Sequence, residues 1–272
     1  MRALKDASVP SGLVTGSWVL LFAILLSGCA TRVIRIPTNR GLPSADAITV
    51  YQAVTKNCKS VKTLTAEIAL SGTARGERIR GRVLAGFAMP ASMRLEGVAP
   101  FGAPVFILTS NPRDTTLLLP RDNRVVRQSS TEDILDSLMG LSFTVDDLLL
   151  ILTGCIVSTP QVEQGFRHDK DWISVVFRDN AATVYLKQVE ASWEIRAAEW
   201  TGWRVEYSEW KGGIPRIVRL WSDSTQNDVA LVAELSQLEV NVSLKAEVFL
   251  LDIPRSAVPL TLDELWNVAP LR

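Results

Sequence analysis

One histidine, three cysteines and no surplus of either charge sign are what this 272-residue sequence has to work with. Lys plus Arg number 29 and Asp plus Glu number 29, so nothing supplies the basic stripe that phosphate neutralisation demands, and nucleic acid is not an expected partner. The single histidine, His168, stands in Phe166-Arg167-His168-Asp169-Lys170-Asp171, a charged stretch between apolar runs that reads as a solvated turn. There is no Gly-x-Ser-x-Gly, no His-Glu-x-x-His and no metal-spaced cluster. An enzyme is therefore not expected, and neither is a metal or cofactor. No internal repeat or low-complexity tract stands out.

What is present begins at the first residues. Met1 to Gly28 carries Arg2 and Lys5, then the apolar run Gly12 to Leu26, then small residues, which is the layout of a secretory signal. The run is short for a bilayer span, and Ser11, Ser17 and Ser27 punctuate it. Leu26-Ser27-Gly28-Cys29 matches the lipobox of bacterial lipoproteins at every position. The expectation is cleavage before Cys29, acylation of that cysteine, and attachment to membrane lipid without a spanning helix. Residue 30 is Ala rather than the Asp that retains enteric lipoproteins at the inner membrane, so the expected place is the outer membrane, facing the periplasm. The chain divides into a signal peptide at 1–28, a lipidated tether at 29–43 rich in Arg and Pro, and a domain at 44–272. Cys58 and Cys155 then remain, and the exported compartment lets them pair. Two buried free thiols acting as small hydrophobes fit the same residues.

Ser44 precedes a helix with Ile48, Tyr51, Val54 and Cys58 at helical spacing. From Thr63 the period is two. Leu64, Ala66, Ile68 and Leu70 form one strand face, and Ile79, Val83 and Phe87 alternate with Arg78, Arg80 and Arg82 on the next. Further strands are read at Met93 to Val98, Val105 to Ser110, Thr115 to Leu119 and Arg124 to Gln128, joined by short turns as an antiparallel meander. Ser129 and Glu132 have capping-box spacing ahead of Ile134 to Met139, and Gly140 ends that helix. Thr144 starts another, whose Leu148 to Leu152 run has no polar break before Gly154; with no wet face, it must be enclosed or plug something apolar. Strands resume from Trp172 and run to Val240, with Lys211-Gly212-Gly213 as a hairpin turn; one more is read at Ala246 to Ile253, and a short helix at Thr261 to Trp266.

Arg94-Leu95-Glu96 through Pro100-Phe101-Gly102, followed by Gly140-Leu141-Ser142-Phe143 leading into the leucine-rich helix and Gly154, resembles the LolA/LolB superfamily, in particular its LolB-like outer-membrane lipoproteins. The likeness covers most of Ala47 to Gly154 and, more loosely, Leu235 to Pro254. It implies an α+β, mainly antiparallel fold: an incomplete, half-open β-barrel covering internal helices around an apolar cavity for acyl chains. It also implies acyl chains of lipoproteins or lipids as ligands, a periplasmic LolA-like carrier as partner, and insertion of lipoproteins in the outer membrane as the activity. A structural or sensing lipoprotein that binds an envelope protein partner is the alternative, because fold alone does not settle function.

Pro100, Phe101 and Gly102 form a turn with no charge from Gly97 to Ser110. By the resemblance this is a membrane-insertion turn; a hairpin tip folded onto the core reads equally well. The apolar-cavity candidates are Leu148, Leu149, Ile151 and Leu152 on the leucine-rich helix, with Trp203, Trp210 and Trp221 lining or filling one concave strand surface. Arg78, Arg80 and Arg82 face anionic headgroups or simply water.

Overall fold

The computed structural model describes residues 34–99, 104–156, 161–222 and 228–268. The expected signal peptide at 1–28, Cys29, and the expected turn at Pro100, Phe101 and Gly102 lie outside the described residues. Ile36 to Arg272 is one compact unit.

The unit opens with the two-residue β1 (Leu42–Pro43) and helix α1 (Ala45–Lys59), which buries Ala47, Tyr51, Thr55 and Cys58 on one side. A first meander follows: β2 (Thr63–Ala74), β3 (Glu77–Ala88), β4 (Ser92–Val98), β5 (Ile107–Asn111), β6 (Asp114–Leu119) and β7 (Arg124–Arg127). Helices α2 (Thr131–Met139) and α3 (Val145–Leu152) then lead to a second meander. It comprises β8 (Val162–Arg167), β9 (Trp172–Phe177), β10 (Ala182–Val189), β11 (Ser192–Trp200), β12 (Trp203–Lys211), β13 (Ile214–Ser222) and β14 (Val229–Val240). The chain ends in β15 (Val258–Pro259) and α4 (Leu262–Val268).

All fifteen strands belong to one sheet, ordered β1-β8-β9-β10-β11-β12-β13-β14-β2-β3-β4-β5-β6-β7-β15. Every pairing is antiparallel except β15 with β7. The two meanders meet where β14 lies along β2, and the sheet's outermost members, β1 and β15, do not pair with each other. This is the α+β, mainly antiparallel incomplete barrel that the resemblance implies.

Period-two patterning decides which face turns inward. Along β2, Leu64, Ala66 and Ile68 are buried, and along β3 Ile79, Val83, Ala85 and Phe87 are, while Arg78, Arg80, Arg82 and Leu84 point out. Burying this alternate set against the helices supplies the main drive for folding, at roughly 25 cal/mol per Å² of apolar surface. Helix ends follow their local chemistry. Thr144 and Asp147 make both halves of a capping box on α3, and Thr261 and Glu264 do the same on α4. The backbone N–H of Thr261 and the Arg124 guanidinium hold the Glu264 carboxyl below the usual carboxylate range. Gly140 closes α2 at φ 73° in the left-handed region. Gly212 and Gly213, both at positive φ, make the β12–β13 turn.

Three expectations are corrected. The cap of α2 is Ser130, which accepts from the N–H of Asp133, one residue later than the Ser129 and Glu132 spacing suggested. Residues 246–253 are not a strand: β14 is already paired on both sides by β13 and β2, so no edge is free for them there. Instead Ala246–Phe249 is a 3-10 turn lying over β4 and β5, with Phe249 buried and Arg94 Nη1 donating to the carbonyls of Val248 and Leu250. Finally, His168 does lie in the turn between β8 and β9, but its ring is not simply solvated. Its Nε2 is 2.9 Å from Ser174 Oγ and its Nδ1 is 2.8 Å from Asn39 Oδ1, so the half-buried ring pins the chain ahead of β1 onto the edge of the sheet.

Candidate functional site

The concave face of the sheet is roofed by α2 and α3. Five consecutive apolar residues, Leu148 to Leu152, follow Asp147 on α3, so the helix presents apolar side chains nearly all round and is enclosed, with Leu149, Ile151 and Leu152 buried. Between the helices and the sheet lies a cavity of about 100 Å³. Its walls are Ile68 and Leu70 from β2, Val83 and Phe87 from β3, Leu95 from β4, Val218 and Leu220 from β13, and Leu231 and Ala233 from β14. Leu135 and Met139 of α2, Leu141, and Leu148, Ile151 and Leu152 of α3 complete it. Every lining residue is apolar, so water gains no hydrogen-bond partner there and the space is dry.

The sequence-derived candidates divide accordingly. Leu148, Ile151 and Leu152 reach the cavity; Leu149 is buried but is not among its lining residues. Trp203, Trp210 and Trp221 do not line it either, which corrects the expectation of a shared concave wall. Trp203 is opposite Ser222 in register, so Trp221 is opposite Arg204 and takes the convex side of the sheet. Trp203 instead packs on Phe143, ring centroids 4.8 Å apart. Glu209 has φ 57°, and Trp210 beyond it packs against Gly154 and Tyr207. Gly154 is required there: at φ +85° a side chain is strained, and its Cβ would collide with the Trp210 ring. Trp210, with Trp193, Val50, Val54 and Asn57, borders a separate groove of about 510 Å³ between α1 and the tips of the β10–β11 and β12–β13 hairpins.

Helix α3 is held at both ends. Cys58 and Cys155 form a disulfide, Cα atoms 5.8 Å apart, joining the end of α1 to the segment after α3 across 97 residues of chain. Tyr207, fully buried, donates its hydroxyl to the carbonyl of Cys155 at 2.9 Å. Burial raises the pKa of Tyr207 and pushes that of nearby Tyr51 up to about 12. At the other end Asp146 Oδ1 accepts from the N–H of Ala91 at 2.9 Å.

Helix α2 is held by a residue with no signal in the sequence. Arg75, at the β2–β3 turn, reaches Asp136 of α2 at 2.5 Å and lies over the Trp266 ring of α4 at 4.8 Å. Among the described residues no group of three or more His, Cys, Asp or Glu is placed to hold a metal ion, and no helix is long and apolar enough to cross a membrane.

No family model and no curated protein matches the chain. Among solved structures, a putative outer membrane lipoprotein-sorting protein domain from Vibrio parahaemolyticus is similar at 13% identity and TM-score 0.42, over 75% of this chain and 96% of that one. A LolA superfamily protein from Nitrosomonas europaea is similar at 11% identity and TM-score 0.46, over 73% and 96%. A DUF1329 family protein from Desulfovibrio piger is similar at 12% identity and TM-score 0.39, over 76% and 97%.

Proposed function

We propose that the protein is a lipid-anchored envelope protein that binds an acyl chain, or another apolar ligand of that shape, between the concave sheet and helices α2 and α3. The observation that carries this reading is the cavity whose fifteen lining residues are all apolar. Such a wall offers a ligand dispersion and dryness and nothing to react with, which suits holding a hydrocarbon chain rather than transforming it. At about 100 Å³ the space is below the roughly 300 Å³ at which ligand pockets begin, so a chain enters only if the roof lifts. The firm ties of the roof lie at its two outer ends: Thr131 at the start of α2 is hydrogen-bonded to Ser110 and Thr115, and the disulfide follows α3, while between them the restraints are the partly exposed Arg75–Asp136 ion pair and the Ala91 N–H donated to the Asp146 carboxylate.

The finer reading adds acylation of Cys29, residence at the outer membrane facing the periplasm, and acceptance of lipoproteins from a LolA-like periplasmic carrier. Delivery would then pass through the Pro100-Phe101-Gly102 turn. Exposure to water costs a chain about 0.8 kcal/mol for each CH₂, so delivery would pass from dry pocket to dry bilayer without a solvated intermediate.

Titration of the Ile36–Arg272 body with a fluorescent fatty acid tests the cavity. Saturable binding that Leu148→Glu abolishes supports it, because a carboxylate on the half-buried lip cannot be desolvated without a cost of several kcal/mol. Binding unchanged by that substitution, in a protein with wild-type circular dichroism, contradicts it.

A further inference from the structure

Four of the six large apolar side chains exposed among the described residues sit on the outer side of one part of the sheet. They are Leu84 on β3 and Val98 on β4, 47% and 41% exposed, and Val248 and Leu250 on the segment that crosses β4 and β5, 37% and 60% exposed. The same side of β3 carries Arg78, Arg80 and Arg82 at alternate positions, all exposed, so the strand's outer edge reads Arg, Arg, Arg, Leu. Register places Val98 opposite Arg82 and Glu96 opposite Leu84, so the two apolar side chains are diagonal neighbours on one face with a guanidinium beside them.

The charges there are only partly answered. Arg82 pairs with Glu67 at 3.2 Å while its side chain stays 69% exposed, and Glu96 is taken by Arg94 at 2.6 Å. Arg78 and Arg80 form no ion pair among the described residues. Arg80 and Arg82 flank a groove of about 780 Å³ whose other walls include Ser71, Val98 and Glu234. A strand face that only needs to stay wet mixes charges of both signs and keeps apolar side chains few. Here the carboxylates opposite Leu84, Glu67 and Glu96, are taken by Arg82 and Arg94, which leaves Arg78 and Arg80 without an ion pair among the described residues, beside apolar side chains that stay exposed.

We propose that this outer face of β3 and β4, with Arg78, Arg80, Arg82, Leu84 and Val98, docks on a bilayer surface bearing anionic headgroups. Guanidinium forks suit phosphate oxygens, and the apolar side chains between them suit the shallow interfacial layer just beneath. A bilayer fits better than a protein partner because protein hot spots are apolar anchors seated in pockets, and these side chains stand singly between charges. The docking needs no ligand in the cavity and no acyl group on Cys29, so its failure and the failure of the acyl-binding reading are separate events.

The test uses the Ile36–Arg272 body, a compact unit with its own core, sedimented with vesicles of phosphatidylcholine alone or with phosphatidylglycerol added. Binding is expected to the anionic vesicles only and to weaken as salt shortens the reach of the charges. Each arginine near a charged surface contributes about five-fold, so Arg80→Gln with Arg82→Gln together should reduce partitioning more than about ten-fold. Leu84→Ser should reduce it at low and high salt alike, which a purely ionic contact would not show. Equal partitioning of the wild type and the double arginine variant overturns the proposal, as does absence of binding to anionic vesicles. Arginine-dependent binding to soluble polyglutamate without vesicle binding also overturns it, in favour of an acidic protein partner.

Discussion

The guanidinium of Arg75 bridges two helices that are distant in sequence: it donates to Asp136 of α2 and stacks on Trp266 of α4. Helix α2 contributes Leu135 and Met139 to the cavity, so what fixes α2 also fixes the cavity's size.

Arg75→Ala should therefore loosen the roof and leave the barrel intact. Side chains about a quarter to a third exposed make this ion pair weak, and with the cation–π contact the expected loss is about 1 kcal/mol. Hydrogen exchange is the direct readout. Amides of α2 should lose protection while those of β2 and β3 keep theirs, and identical protection throughout would remove Arg75 from its role.

Helix α3 responds to a different restraint. Replacing Cys58 and Cys155 with serine releases a loop of 97 residues from the unfolded chain and should lower stability by about 2–4 kcal/mol in denaturant titration. Thiol labelling of the denatured wild-type body should find neither cysteine free. A stability change below about 1 kcal/mol, or full labelling, would mean that the two cysteines act only as core residues.

Much of this architecture is readable in advance, and the exceptions share a cause. Alternation along β2 and β3, the helix starts at Thr144 and Thr261, and the unbroken Leu148 to Leu152 run are local patterns, and each forms as read. Trp203 and Trp221 do not share a wall, because alternation fixes faces only within a strand. The relation between strands depends on register, and Trp203 pairs with Ser222, one residue off. Arg75 and Asp136 are 61 residues apart and carry no mutual signal at all. The segment from 246 onward has a strand's composition, yet what decides its state is that β14 offers no free edge.

The anchor is tested at Cys29. Cys29→Ser should abolish acylation and move the protein from the membrane to the soluble periplasmic fraction, since the proposed anchor depends on this one residue. Retention of the variant at the membrane would contradict a lipid anchor at this residue.

The central claim, that the space under α2 and α3 holds an acyl chain, is tested most directly by solvent extraction and mass analysis of lipid carried by the purified, unacylated body. The account predicts acyl lipid in near-stoichiometric amount, lost in Leu148→Glu and retained in Arg80→Gln with Arg82→Gln, whose changes lie on the opposite face of the sheet. A folded wild-type body that carries no lipid and takes up none from added fatty acid would contradict it.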